Sequence, residues 1–188
     1  MPKKKNTQIK EKNLNLPNVL AVFRIFLAPL MLWFMVDQSN PIFQGWHRSW
    51  FDYFAGLIFV IASVTDFFDG YIARSWNQMT KLGSILDPLA DKMLVLAGFI
   101  GLLSMGRASA FAIFLILSRE FFITGLRVVA VSEGKSVAST MAGKIKTVAQ
   151  MIAIGFLIMN WPFASELLWL AVSLTLYSGY EYIRDYLK

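Results

Sequence analysis

The chain has 188 residues, of which 56% are hydrophobic and 16% charged, and it contains no cysteine. A soluble domain is about a quarter charged, so lipid is the expected solvent for much of the surface, and the missing thiols exclude disulfides and thiolate metal centres. The net charge of +6 would suit nucleic acid, but the basic residues border apolar segments, which points to anionic lipid headgroups and to no nucleic-acid partner.

The first stretch, MPKKKNTQIKEKN, is polar and basic and precedes an apolar run, the order found in a signal peptide. Arg24 and Pro29 interrupt that run and no small-residue cleavage site follows. Residues 1–17 are therefore expected to be retained, as the basic cytoplasmic start of a single domain, 1–188. A spanning helix needs about 20 mostly apolar residues. Stretches 18–37, 50–75, 82–104, 108–132, 141–160 and 163–184 qualify, joined by short linkers. The expected fold class is all-α, an integral membrane bundle of six transmembrane helices. Lys and Arg mark the cytoplasmic side. With the N-terminus inside, that side collects Lys3, Lys4, Lys5, Lys10, Lys12, Arg74, Lys81, Lys135, Lys144, Lys146, Arg184 and Lys188; the other has Arg48 and Arg107. Both termini are thus expected to be cytoplasmic. Trp46, Trp50, Trp161 and Trp169 gather near the far face as an aromatic belt, and His47 falls in a far-side loop as a solvated residue.

Between the second and third apolar stretches lies DFFDGYIARSWNQMTKLGSILDPLADK, Asp66 to Lys92. On a helix, Asp66, Asp69, Gly70 and Ala73 share one face. Gly83, Asp87 and Asp91, four residues apart each time, share another. Two antiparallel helices joined by a short turn bring these faces together. Four carboxylates in a low-dielectric setting must protonate or hold cations. An all-oxygen set suits Mg²⁺, Mn²⁺ or Ca²⁺ and is large enough for two ions, the usual clamp for displacement at phosphorus. Gly70, Ala73 and Gly83 leave room for a substrate to approach the backbone. Taken alone, Asp87 before Pro88 reads as a helix cap; if the helix begins earlier, Pro88 lies inside it and should kink it. Intramembrane acids also mark ion paths, but transporters hold them near the midplane on repeated, broken helices. Here they gather toward one face, and no repeat is visible.

The pattern Asp66-x-x-Asp69-Gly70-x-x-Ala73-Arg74, eight residues, then Gly83-x-x-x-Asp87-x-x-x-Asp91 resembles the complete signature of the CDP-alcohol phosphotransferases. The six apolar stretches extend the likeness over nearly the whole chain. Members of that family join a CDP-linked group to an alcohol and release CMP. The resemblance implies that Asp66, Asp69, Asp87 and Asp91 ligate two divalent cations, Mg²⁺ or Mn²⁺, and that Asp91 is also the general base. It implies a CDP-diacylglycerol site made by Asp66, Asp69, Gly70, Ala73, Arg74 and Gly83, and a homodimer in the bacterial cell membrane with its active site facing the cytoplasm. NLPNVLAVFRIFLAPL, Asn15 to Leu30, and SREFFITGLRVVAVSEGKSVASTMAGKIKT, Ser118 to Thr147, resemble the bacterial members that take glycerol 3-phosphate and form phosphatidylglycerol phosphate. In the first of these, Ala21 stands where that group often has Thr. Members using phosphatidylglycerol, an inositol phosphate or serine as acceptor are the alternatives.

Glycerol 3-phosphate is a dianion and needs fixed positive charge, for which Arg119, Arg127, Lys135 and Lys144 are the candidates. Arg119 lies near the middle of an apolar stretch, where an arginine is costly and usually functional. Pairing with Glu120 is expected to be poor, because adjacent helical residues point about 100° apart. Arg127 falls on a neighbouring face nearer the cytoplasm, and either arginine can grip phosphate in a fork. Lys135 and Lys144 read equally as inside-facing anchors that snorkel to headgroups, and Lys146 and Lys81 are expected to be anchors. Arg24 is open between the pocket and the interface.

Overall fold

A computed structural model describes residues 16–38, 40–75, 83–133 and 141–187, and of 17, 42, 67–75, 84, 85 and 131 the backbone alone. Helices α1 (Leu16–Val36), α2 (Arg48–Ser75), α3 (Gly83–Ser104), α4 (Ala110–Ser132), α5 (Met141–Ile158) and α6 (Ala164–Tyr186) follow in order, with a short 3-10 turn at Pro41–Phe43. No strand occurs among the described residues. The helix ends fall close to those expected from the apolar stretches. By length and composition alone, two segments among the described residues could cross a membrane, Asn18–Val36 and Met141–Ile158. The other four helices carry more charge: Asp52 and Asp66 on α2, Asp87, Asp91 and Lys92 on α3, Arg119, Glu120 and Arg127 on α4, and Glu166, Glu181, Arg184 and Asp185 on α6.

Small residues let the helices approach. α3 packs on α1 at Gly101, where a Cβ would stand 2.6 Å from Met35 Sδ, and on α5 at Gly98, where a Cβ would lie 3.2 Å from Ile154 Cγ2. α2 meets α5 at Gly56, where a Cβ would lie 3.0 Å from Met159 Sδ. α1 lies against both α2 and α3, α6 against both α4 and α5, and α5 also touches α2 and α3. Two turns at one end share a device. Gly106 (φ 68°) and Asn160 (φ 51°) adopt the left-handed conformation, and the residues after them, Arg107 and Trp161, donate back to Leu102 and Phe156. These are Schellman endings, and they fold α4 back after α3 and α6 back after α5.

The interior changes character along the bundle. Met31, Met35, Leu102, Ile158 and Leu168 fill the half near those turns. The buried polar side chains Asn18, Arg24, Lys146, Gln150, Thr175 and Ser178 lie toward the opposite end, where α1, α3 and α5 begin and α2, α4 and α6 finish. The outside is apolar: Phe26, Phe111, Phe114, Phe121, Phe122, Leu57 and Leu170 are all exposed. Trp46, Trp50, Trp161 and Trp169 are exposed as well, and His47, also exposed, has Nδ1 3.0 Å from Ser49 Oγ.

Candidate active site

Helix α1 buries Asn18, Ala21, Arg24, Ala28, Met31 and Met35, a stripe at three- and four-residue spacing that faces α2 and α3. Arg24 is carried inward by that stripe and is completely buried. Its guanidinium pairs with the Asp66 carboxylate on α2, as a charge out of water must. Arg24, ambiguous in the sequence, therefore belongs to the interior of the acidic end.

On α3, Asp87 and Asp91 lie one turn apart on one face. The helix starts at Gly83, which is buried, so Asp87 lies inside it and is not its cap. Pro88 sits within the same helix and removes the N–H that would bond to the Ser84 carbonyl. Each of the two aspartates has a buried carboxylate oxygen, Oδ1, with no hydrogen-bond partner among the described residues. Among the described residues, Arg24 is the charge that acts on Asp87, and Arg24, Lys146, Glu120 and Lys92 act on Asp91. Arg24 thus links three of the four signature aspartates. Asp69, Gly70, Ala73 and Arg74 stand on the last turns of α2, and their side chains lie outside the described residues.

Among the described residues, which do not include the Asp69 side chain, no three acidic or imidazole groups gather closely enough to cage a metal ion. The donors that are described fit a hard cation all the same. Asp87 and Asp91 offer buried carboxylate oxygens without partners among the described residues, and hard divalent cations take oxygen ligands of this kind.

A second polar cluster joins α4, α5 and α6. Arg119 reaches Glu120 Oε1 at 3.3 Å through Nη1 and Ser178 Oγ at 2.9 Å through Nη2. Arg119 and Glu120 do meet, but at 3.3 Å and on an oxygen shared with Lys146, so the pairing is the poor one expected of adjacent side chains that point about 100° apart. The reading of Lys146 is corrected. It is no headgroup anchor: it is buried, and its ammonium contacts Glu120 Oε1. Lys146, Gln150, Ile154 and Ile158, four residues apart each time, form the buried stripe of α5, so the lysine stem is part of the core. Gln150 donates to Thr175 Oγ1 on α6 at 2.8 Å. Arg127, exposed, lies over the Tyr182 ring at 5.8 Å from its centre, so Arg119 and Arg127 both face α6. Lys144 is exposed, and Lys135 lies outside the described residues.

Sequence reasoning passed over Gln150, Thr175 and Ser178, and it gave Glu120 and Lys146 no place in a site. One signal was available. Leu168, Ala171, Thr175, Ser178 and Tyr182 recur at helical spacing on α6, and the hydroxyls fall in its C-terminal half.

Residues 14–177 match the CDP-alcohol phosphatidyltransferase family. The chain is similar to the Bacillus subtilis protein named CDP-diacylglycerol–glycerol-3-phosphate 3-phosphatidyltransferase, with 42% identity over 89% of this chain and 93% of that one. It is also similar to proteins of the same name from Rickettsia felis, 37% identical over 90% of this chain and 94% of that one, and from Escherichia coli, 36% identical over 90% and 93%. The aspartate pattern, the six-helix architecture and a family match over most of its length agree: the chain belongs to the CDP-alcohol phosphatidyltransferase family.

Proposed function

We propose that this chain transfers the phosphatidyl group of CDP-diacylglycerol to sn-glycerol 3-phosphate, giving phosphatidylglycerol phosphate and CMP. The observation that carries the proposal is the agreement in name of relatives that align over nearly the full length of both chains. Orphaned carboxylate oxygens on α3 beside an arginine-bearing cluster on α4 support it. The chain works as one domain in the bacterial cell membrane, with six spans, both termini and the active site cytoplasmic, and as a homodimer. Apolar side chains exposed on the outside of the bundle, and polar ones buried at one end, support that placement.

Asp66, Asp69, Asp87 and Asp91 would hold two divalent cations, Mg²⁺ or Mn²⁺. Bound there, these ions supply positive charge to the phosphoryl oxygens and the departing CMP. Gly70, Ala73, Arg74 and Gly83 shape the site for the nucleotide end of CDP-diacylglycerol, whose acyl chains stay in lipid. Arg119, with Arg127, Lys135 and Lys144 nearer the surface, takes the acceptor phosphate. Asp91 accepts the proton of the free terminal hydroxyl as its oxygen attacks the β-phosphorus. A new P–O bond forms, the bridging P–O bond breaks, and CMP leaves with the bonding electrons. Arg24 and Lys146, the fixed cations acting on Asp91 from α1 and α5, keep the carboxylate in place.

The test is purified protein in lipid–detergent micelles with CDP-diacylglycerol, divalent cation and a panel of acceptors, following CMP release and product mass. Phosphatidylglycerol phosphate formed only with glycerol 3-phosphate is the expected result. CMP release with phosphatidylglycerol, an inositol phosphate or serine instead would move the acceptor assignment. No CMP release from folded protein would overturn the transferase reading.

A further inference from the structure

The side chain of Arg119 is held on several sides. Nη2 donates to Ser178 Oγ at 2.9 Å, and Nη1 to Glu120 Oε1 at 3.3 Å. Its stem crosses Gly179, where a Cβ would stand 3.1 Å from Arg119 Cγ and 3.3 Å from Nε. Glu120 does not satisfy the arginine by itself. The same Oε1 takes the ammonium of buried Lys146 in a much closer contact, so that oxygen is shared between two cations. Nε of Arg119, meanwhile, is buried against Gly179 and has no hydrogen-bond partner among the described residues. A guanidinium carries five N–H donors in a rigid fork. The contacts to Glu120 and Ser178 take one N–H each of Nη1 and Nη2, and a fork held in one rotamer with its second terminal N–H groups unmatched among the described residues is arranged to receive a further acceptor, for which an oxyanion offers the right geometry.

We propose that Ser178 and Gly179 of α6 are positioning residues for the acceptor phosphate. Ser178 fixes the direction of the fork, and Gly179 leaves the space in which the stem lies. Neither residue lies in the aspartate signature, and neither needs to touch substrate. They act by removing the rotamer freedom that Arg119 would otherwise lose on binding. The inference rests on the reading of Arg119 as a ligand of glycerol 3-phosphate. Arg127, over Tyr182 one turn further along α6, extends the same face of α6 toward the cytoplasmic end.

The test measures KM for glycerol 3-phosphate, KM for CDP-diacylglycerol and kcat separately, on the full chain in lipid–detergent micelles, with the apparent melting temperature beside them. The variants are Ser178→Ala, Gly179→Ala and Arg119→Ala. Loss of one hydrogen bond to a charged group corresponds to about a tenfold effect. Ser178→Ala is therefore expected to raise KM for glycerol 3-phosphate by about that factor, leaving kcat and the lipid KM unchanged. Gly179→Ala should shift the same constant in the same direction. An unchanged acceptor KM in Ser178→Ala, equal rises for both substrates, or a lower melting temperature with no change in KM would overturn the proposal. If Gly179→Ala does not fold, Ser178→Ala decides alone. If Arg119→Ala raises the acceptor KM while both α6 variants leave it unchanged, the cradle is wrong and the ligand stands. If Arg119→Ala itself leaves that KM unchanged, the reading beneath the proposal fails.

Discussion

Replacing Arg24 by methionine should destabilise the protein by about 2 kcal/mol. The side chain is wholly buried and pairs with Asp66, whose side chain is 34% exposed. Removing one partner of a fully buried pair costs about 3–5 kcal/mol, because the other charge is left uncompensated. Water reaching Asp66 offsets part of that, which brings the figure down to about 2 kcal/mol. For a chain of this size each kcal/mol moves the melting temperature by about 2–4 °C. Arg24→Met should therefore melt about 4–8 °C lower in detergent micelles without divalent cations. Asp66→Asn should cost less, because Arg24 still acts on Asp87 and Asp91. The decisive protein is Arg24→Met/Asp66→Asn, in which the orphaned carboxylate is gone. Its loss should be clearly smaller than the sum of the two single losses. Strict additivity would mean that the pair is not coupled, and the account of Arg24 as the countercharge inside the acidic end would be refuted.

Asp91→Asn removes the proton acceptor while keeping the shape of the side chain; CMP release should fall to background while the helical circular dichroism and elution volume stay as in the parent. Near-normal turnover would remove Asp91 from its role. Chelating divalent cations should stop CMP release, and returning Mg²⁺ or Mn²⁺ should restore it; full activity in excess chelator would refute the carboxylate set as a metal site. Gly101→Val adds a branched side chain where even a lone Cβ would stand 2.6 Å from Met35 Sδ. Overpacking of this kind costs about 1–3 kcal/mol, so the variant should melt several degrees lower, whereas a substitution at Gly125, where a Cβ meets nothing within 4 Å, should not.

The linear chain determined the helices and the acids. Apolar stretches of spanning length need no tertiary information, because a backbone in lipid must satisfy its own hydrogen bonds and a helix does so locally. The spacing from Asp66 to Asp91 is equally local, since it fixes which side chains share a helix face. The partners of those side chains were decided by packing between helices far apart in sequence. Arg24 is inward because α1 lies against both α2 and α3. Lys146 is a core residue because its stripe on α5 meets α6 and the acidic helices. Arg119 finds Ser178 because α4 packs on α6. A lysine that snorkels and a lysine that pairs in the interior read alike in a sequence. The difference is the desolvation of one ammonium group, and only the neighbouring helices set that.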